Sequence, residues 1–479
     1  MSRAHSRADS RAHSRAHSGA DSRAHSPAHS RAYCVVGGGI SGLAAAYRLR
    51  VALGPAAPIT LFEPADRLGG VLRTIQLGGQ PLDVGAEAFV ARRPEVPALL
   101  AELGMADEQL DTTGARPLIY AGGTLHPLPE QTIQGIPMTA ASVRGLVDDA
   151  TVEKVATEPT RPLTWSPGAD PAVADLVSER FGPQLVARSV DPLLAGVYAG
   201  SAATIGLRSA VPGVAAALDQ GARSLTEAVR TALPPPTGRS VFGAVRGGYG
   251  VLVDELVRRS RIDWVRQAIV SVSRDLRGWQ LCGEDGDLWH ADAVVVAVPA
   301  PRLPPMLTGV ARRTVSAAGR IPVASSVVVA LAVPADTPLP DRSGVLVGSG
   351  EPLHAKAITL SSRKWGQRGD VALLRLSFGR FGDDVARGVG DAELLAWAVD
   401  DLAAAFGVRV EPLGAHVARW LDSMPQYGPG HAGLVAEMRA GLPPSLALAG
   451  NYLEGIGVPA CIASGTAAAA SLVTATVAP

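Results

Sequence analysis

The sequence contains few cysteines, no excess of charge and no long apolar run. Its only cysteines, Cys34, Cys282 and Cys461, are odd in number and widely spaced. They predict reduced packing residues, and neither a disulfide framework nor a metal site. The 44 basic and 44 acidic residues cancel, so we expect no nucleic-acid-binding surface. Because no uninterrupted apolar run reaches the ~18 residues of a spanning helix, we expect a soluble, cytoplasmic protein.

The first 32 residues form eight four-residue repeats of one theme, from MSRAH to SRAY. Leaders rich in Arg and Ser occur as transit peptides, and His13 with His17 could bind a metal from one helical face. The repeat is, however, too regular and too poor in apolar residues to bury a core. Residues 1–32 are therefore predicted to be a disordered tail without a catalytic role.

A glycine-rich turn follows directly, in the segment YCVVGGGISGLAAAYRL at residues 33–49. Gly37, Gly39 and Gly42 match GxGxxG between an apolar strand and an Ala-rich helix, which predicts a helix N-terminus facing a pyrophosphate. Glu63 ends the next predicted strand, ITLFE, where a carboxylate accepts hydrogen bonds from ribose hydroxyls. This βαβ unit predicts an adenine dinucleotide site without distinguishing NAD from FAD.

Two more glycine-rich segments favour FAD. A second turn, RLGG, begins at Arg67, and GIGVPACIASG near the C-terminus joins a loop to a helix. Small residues at these places suit backbone contacts with the far end of the dinucleotide, and a second helix N-terminus can point at it.

Hydrophobic periodicity divides the remaining chain. Apolar residues recur at helical spacing from about Pro94 to Pro234, and short strands alternate with polar turns over residues 321–415. The predicted fold combines α/β and α+β parts: a discontinuous Rossmann-like FAD-binding domain, a mixed-sheet substrate domain and a helical insert. The predicted boundaries are a tail at 1–32, FAD-binding segments at 33–93, 236–305 and 416–479, a helical substrate region at 94–235, and a substrate-binding domain at 306–415.

The side-chain motifs of common hydrolases and metalloenzymes are missing. GxSxG, HExxH, CxxC and the P-loop lysine do not occur. A flavin accepts a hydride at its own N5, so the protein mainly supplies binding, orientation and exclusion of water. The sequence therefore predicts an FAD oxidase without a dedicated catalytic side chain.

Five further segments make the predicted class of FAD oxidase more specific. They are ARPLIYAGGTLHPLP at 115–129, DPLLAGVYAGSAATIGLRSAVP at 191–212, RGGYG at 246–250, MPQYGPGH at 424–431 and NYLEGIGVPACIASG at 451–465. Together with GGGISG, Glu63 and RLGG, they make the chain from Tyr33 onward resemble the flavin-dependent porphyrinogen oxidases of haem biosynthesis, within the monoamine oxidase and carotenoid desaturase superfamily.

The resemblance implies one non-covalent FAD per chain and a set of residues around it. By position, the predicted FAD contacts are Gly37, Gly38, Gly39, Ile40, Ser41, Gly42, Glu63, Arg67, Val71, Gly85, Ala86, Glu87, Ile269, Asn451, Ile456, Gly457 and Val458.

Four positions are implied for the substrate. Arg116 matches the residue whose guanidinium pairs with a propionate, a role that suits its fork of donors. Gly196 matches a position where a small residue lets the macrocycle approach. Leu346 and Ser377 are predicted to form the floor and ceiling of the pocket.

The implied reaction is the six-electron oxidation of a porphyrinogen to a porphyrin, with dioxygen reoxidising the flavin and yielding three peroxides. The segment KAITLSSRKW at 356–365 is similar to the soluble Gram-positive type, which acts on coproporphyrinogen III and passes its product to a ferrochelatase. Protoporphyrinogen IX is the alternative substrate. An amine oxidase, a carotenoid desaturase and a non-catalytic tetrapyrrole carrier are the rival functions.

Overall fold

A computed structural model describes residues 31–235, 238 and 240–477 of the chain. The predicted disordered tail, and with it the His13 and His17 pair, lies outside the described residues apart from Arg31 and Ala32. Among the described helices, none combines the length and the apolarity needed to cross a membrane.

The strands are mostly short. In chain order they are β1 Tyr33–Val36, β2 Ile59–Phe62, β3 Thr74–Leu77, β4 Gln80–Asp83, β5 Phe89–Val90, β6 Gln109–Asp111, β7 Leu118–Ala121, β8 Thr124–Pro127, β9 Thr132–Ile133, β10 Ile136–Pro137, β11 Phe242–Val245, β12 Asp263–Val265, β13 Ile269–Asp275, β14 Gly278–Gly283, β15 Leu288–Ala291, β16 Ala293–Val296, β17 Val323–Pro334, β18 Gly344–Val347, β19 Ala357–Thr359, β20 Val371–Phe378, β21 Gly414–Pro425 and β22 Leu446–Leu448.

The α-helices range from single turns to five turns. In chain order they are α1 Ile40–Leu53, α2 Glu95–Glu102, α3 Asp149–Thr157, α4 Val173–Phe181, α5 Pro183–Leu185, α6 Asp191–Tyr198, α7 Leu207–Ala210, α8 Pro212–Asp219, α9 Leu225–Ala232, α10 Tyr249–Ser260, α11 Leu303–Leu307, α12 Arg312–Ala318, α13 Ser361–Trp365, α14 Val385–Gly388, α15 Asp391–Phe406, α16 His431–Ala440 and α17 Val458–Val477.

A parallel five-stranded sheet forms the nucleotide-binding part. Its strand order is β12-β2-β1-β16-β22, so strands from the beginning, middle and end of the chain lie side by side. All four residues of β1 and of β16 are buried, as expected for strands covered on both faces. The discontinuous Rossmann-like arrangement predicted from the sequence is thereby confirmed.

A seven-stranded mixed sheet forms the second part, with the order β21-β17-β20-β19-β18-β7-β8. On one face, Val329 and Leu376 pack with residues of α15 in one apolar cluster. On the other face, Ala330 and Leu373 pack against Leu82 of the β3–β4 hairpin. The sheet thus turns one face toward the nucleotide-binding part.

Two strand regions differ from the sequence prediction. Residues 109–137, assigned to a helical region, form β6 to β10, and β7 and β8 complete the edge of the seven-stranded sheet. The same sheet continues through β21 to Pro425, past the predicted boundary at residue 415. The helical prediction was wrong over 109–137 because flanking helices dominated the periodicity; the Gly-Gly pair between LIYA and TLHP is a hairpin signal.

Helices α3 to α9 do form the predicted helical layer. Their apolar residues share one buried cluster with Ile119 of β7, and Leu346 of β18 packs against it. The layer therefore covers the β18–β7 end of the same sheet face that meets the β3–β4 hairpin. The division into six segments as such remains a prediction.

Candidate active site

The turn between β1 and α1 leaves space where a phosphate would lie. A Cβ atom on Gly37 would lie 2.5 Å from the carbonyl oxygen of Ala297, and one on Gly42 would lie 1.9 Å from the carbonyl oxygen of Gly37. These two glycines are required by the close approach of backbone. At Gly39, the N-cap of α1, a Cβ would meet no protein atom within 4 Å. The open space thus lies at a helix N-terminus, which attracts anions.

Glu63 closes the other side of this turn. Its Oε2 accepts a hydrogen bond from the Gly38 amide at 2.9 Å, and its Oε1 accepts one from the Ala65 amide at 3.1 Å. A carboxylate offers about four acceptor positions, so capacity remains for ribose hydroxyls. Ile40 and Ser41 are buried in the first turn of α1, and would meet a dinucleotide through their backbone.

The RLGG turn lies directly against the first glycine turn. The Gly69 amide donates to the carbonyl oxygen of Gly38 at 2.8 Å. The guanidinium of Arg67 donates to the carbonyl oxygens of Leu68, Gly70 and Leu72. Arg67 therefore holds the turn in place.

Val71 and residues 85–87 are also brought together. A Cβ on Gly85 would lie 1.8 Å from the Val71 carbonyl oxygen, and the Ala86 amide donates to that oxygen at 3.3 Å. The seven-stranded sheet holds the same loop: Trp420 Nε1 donates to the Val84 carbonyl at 2.8 Å, and Arg375 donates to the Gly85 carbonyl at 2.6 Å. The sequence analysis did not single out Trp420 or Arg375, because nothing local relates β20 and β21 to this loop.

The Glu87 side chain has partners other than a cofactor. Its carboxylate lies 2.8 Å from Lys364 Nζ and 3.3 Å from Arg375 Nη1, and it accepts a hydrogen bond from Ser361 at 2.6 Å. Although burial opposes ionisation, the charges of Lys364 and Arg375 lower the pKa of Glu87 to about 2. The carboxylate of Glu87 thus belongs to a buried ionic network, and the predicted contact with FAD would be made by its backbone.

Ile269, which is predicted to contact FAD, does not lie in the nucleotide-binding sheet. It begins β13 of a separate antiparallel sheet, β13-β14-β15. After the helical layer, the chain returns to the nucleotide-binding sheet at β12, which pairs with β2. The side chain of Ile269 is buried in the apolar cluster with Phe62, so a contact with FAD would involve its backbone.

The C-terminal loop is held by a tyrosine that the sequence analysis did not single out. Tyr427, in MPQYGPGH, donates its hydroxyl hydrogen to the Asn451 carbonyl and accepts from the Gly455 amide at 2.9 Å. The Asn451 amide side chain donates to the Ser423 carbonyl at 2.8 Å. One hydroxyl therefore holds both ends of the loop.

Beyond this loop, α17 starts at Val458 and crosses α1 closely. A Cβ on Gly465 would lie 2.2 Å from the Ser41 carbonyl oxygen. Val458 is buried, Ile456 packs against the helical-layer cluster, and the Gly457 carbonyl accepts from Cys461. The loop and the first glycine turn thus belong to one packed region.

Three of the four predicted substrate residues lie together. Leu346, Ala357 and Ser377 follow one another across β18, β19 and β20 in register. A Cβ on Gly196 of α6 would lie 3.6 Å from Leu346 Cδ2. Although these three sheet residues occupy the middle of a sheet, each is half-buried. This combination indicates a pocket between the sheet and α6.

Arg116 lies apart from this row, just before β7. It is exposed and forms an ion pair with Glu130. Its carbonyl accepts a hydrogen bond from the Ser343 amide at 3.4 Å, just before β18. Arg116 therefore lies at the beginning of the strand pair that carries Leu346.

Lys356, which immediately precedes β19, is a buried cation missed by the sequence analysis. Its ammonium donates to Ser326 Oγ at 2.8 Å and to the carbonyls of Phe378 and Gly379. Burial, with a contribution from the charge of Arg380, lowers the pKa of Lys356 to about 7. Among the described residues, no carboxylate forms an ion pair with it, so it acts as a link between strands.

These contacts describe an anion-accepting glycine turn and a half-buried row on the seven-stranded sheet, which is linked through Arg375 to the loop at Gly85. A family model for flavin-containing amine oxidoreductases matches residues 40–473 of the chain. The chain belongs to this family. Its fold and its FAD cofactor, both predicted from the sequence, are thereby confirmed.

Individual proteins of this family give a more specific comparison. The chain is 66% identical over 442 residues to the coproporphyrinogen III oxidase of Mycobacterium tuberculosis (strain ATCC 25618 / H37Rv), covering 92% of this chain and 97% of the relative. It is 30% identical over 482 residues to the protoporphyrinogen oxidase of Bos taurus, covering 91% and 97%. A crystal structure of a protein assigned as a protoporphyrinogen oxidase, from Exiguobacterium sp. 255-15, aligns with a TM-score of 0.84 and 28% identity over 93% of this chain and 99% of that one.

The residues of the glycine turn fit FAD. The open space at Gly39 adjoins a helix N-terminus, and Glu63 retains acceptor capacity beside it. The loops that contain Val71, Gly85 and Asn451 are the predicted continuation of the FAD site beyond this turn. The individual contacts with FAD remain predictions.

Asp83 beside this site predicts a pH effect on stability. It is buried, accepts hydrogen bonds from Thr74 Oγ1 and the Tyr249 amide, and burial raises its pKa to about 7. Between about pH 4 and pH 7, the unfolded chain loses this proton while the folded chain keeps it, so stability falls as pH rises, by at most about 4 kcal/mol. In Asp83→Asn this contribution disappears. We expect the Tm of the apoprotein to fall less across this window than in the wild type; parallel curves would contradict the assignment.

Proposed function

We propose that this chain oxidises coproporphyrinogen III to coproporphyrin III in haem synthesis. The main support is the 66% identity over 92% of the chain to a relative named coproporphyrinogen III oxidase. The overall reaction removes six electrons and six protons from the substrate and reduces three dioxygen molecules to three hydrogen peroxide molecules. FAD, when bound, accepts hydride from the substrate and passes the electrons to dioxygen.

The residues of this chain bind and orient the substrate. The half-buried row Leu346, Ala357 and Ser377 offers a surface of small and apolar side chains to the macrocycle, and Gly196, which has no side chain, lies opposite Leu346. Arg116, at the beginning of β7, would pair with a propionate. No side chain is assigned as a general base.

The connection between pocket and cofactor loop supports the same proposal. Arg375 and Ser377 lie two positions apart on β20 and so share one sheet face. Arg375 donates to the Gly85 carbonyl, in the loop predicted to contact FAD. A substrate on this face would lie next to that loop.

The location and the fate of the product belong to this proposal as well. We expect the chain to work in the cytoplasm, where its three free cysteines stay reduced. We also expect the product to pass to a ferrochelatase.

The test supplies coproporphyrinogen III and protoporphyrinogen IX separately to the purified, FAD-loaded protein under air. We expect porphyrin fluorescence to appear with coproporphyrinogen III, with three peroxides for each porphyrin, and at higher kcat/KM than with protoporphyrinogen IX. A preference for protoporphyrinogen IX would establish the alternative substrate. Oxidation of neither compound, or oxidation of amines instead, would overturn the proposal.

A further inference from the structure

A cavity of about 620 Å³ opens beside the β7–β8 hairpin. One wall is formed by residues 116–118 and 126–130 of the hairpin and its flanks. The opposite wall is formed by the loop around Arg144, and Arg342 contributes from the segment before β18. This cavity is separate from the glycine turn and from the C-terminal loop.

The cavity has an excess of positive charge. It is lined by three arginines, Arg116, Arg144 and Arg342, and by a single carboxylate, Glu130. Glu130 pairs with Arg116. Arg144 and Arg342 are exposed, and neither forms an ion pair with a described residue. Three cations against one anion leave a formal charge of +2 with His126 neutral, so the cavity suits a ligand with more than one negative group.

Two of these arginines precede the strands that carry the beginning of the half-buried row. Arg116 and Arg342 come from the segments that precede β7 and β18, and these strands are parallel. Both segments therefore lie at the same end of these two strands. Leu346, at which the row begins, lies further along β18. A ligand that lies on the row and extends back along β18 toward Arg342 would bring its edge to the cavity.

We infer that Arg144 and Arg342, together with Arg116, bind carboxylate groups at the edge of the tetrapyrrole, and that this contact selects substrates with more propionates. The inference rests on the proposed function. Guanidinium groups bind carboxylates through paired donors. Coproporphyrinogen III carries four propionates and protoporphyrinogen IX carries two, so more contacts are available to the former.

The test uses Arg144→Gln, Arg342→Gln and the double variant in the FAD-loaded protein. For coproporphyrinogen III we expect KM to rise by about tenfold or more in the double variant, with kcat within about twofold. For protoporphyrinogen IX we expect a smaller rise. Direct titration of coproporphyrin III, followed by its fluorescence, should show a similar loss of affinity. Arg312→Gln, at the exposed start of α12, is the matched control and should change none of these values.

The possible outcomes distinguish a failure of this inference from a failure of the proposed function. If the wild type oxidises coproporphyrinogen III and the double variant has an unchanged KM, the cavity inference fails and the proposed function stands. An equal rise in KM for both substrates would overturn the selection by propionate number. If the wild type oxidises neither compound, the proposed function fails and this inference with it.

Discussion

Replacing Gly39 by alanine is expected to weaken FAD binding at least about tenfold, or ~1.4 kcal/mol, while leaving the fold unchanged. At Gly39 φ is −71° and ψ is 175°, which alanine adopts without strain. An added methyl group would meet no protein atom within 4 Å. It would instead occupy the space through which a pyrophosphate approaches the helix N-terminus. Titration of the apoprotein with FAD, followed by flavin fluorescence, measures the effect.

Gly433→Ala is the matched control for this substitution. Gly433 lies in α16, and a methyl group there would also meet no protein atom within 4 Å. We expect the control to bind FAD like the wild type, and neither variant to lower the Tm of the apoprotein. Equal FAD affinity in Gly39→Ala and wild type would show that the dinucleotide does not lie at this turn. Gly42→Ala is less informative, because its methyl group would clash with the Gly37 carbonyl.

Glu87→Gln is expected to lower the stability of the protein by about 3–5 kcal/mol, the usual cost of removing one partner from a buried ion pair. The side chains of Glu87 and Arg375 are 8% and 9% exposed. The substitution would leave the buried Arg375 and the half-buried Lys364 without their carboxylate. Chemical unfolding of the apoprotein measures the change in unfolding free energy.

Glu255→Gln is the control for the loss of an ion-paired carboxylate. Glu255 pairs with Arg258 and Arg259 on α10, whose side chains are 65% and 45% exposed. Because water solvates these arginines, we expect little change in stability. If Glu87→Gln proved as stable as the wild type, the ionic network would not hold the 85–87 loop. Arg375→Lys keeps the charge but loses the fork of donors, and so tests the hydrogen bond to the Gly85 carbonyl.

The nucleotide-binding turn could be predicted because its requirements are local. The position of Gly42 follows from its contact with the carbonyl of Gly37, five residues earlier. Glu63 was placed from the length of one βαβ unit, and its carboxylate lies beside the turn, where it accepts a hydrogen bond from the Gly38 amide. Such short-range geometry leaves a recognisable pattern in the sequence.

The supporting residues of the site left no comparable pattern. Trp420 donates to the carbonyl of Val84 across 336 positions in the chain, and Arg375 reaches Gly85 across 290. Considered with its sequence neighbours alone, each is a strand residue whose side chain carries an N–H donor. Glu87 was predicted to contact FAD from its position in the family resemblance, which gives no information on the partners of its carboxylate, Ser361, Lys364 and Arg375.

The order of residues along the chain was therefore sufficient for the dinucleotide turn, the flavin family and the discontinuous fold, since glycine spacing and strand periodicity act over short distances. The membership of the seven-stranded sheet, the ionic network at Glu87 and the arginine cavity at Arg144 and Arg342 emerged only from the folded chain. Each of these depends on which distant strands pair and in what register, and burial then sets the charge and the partners of the side chains that meet there.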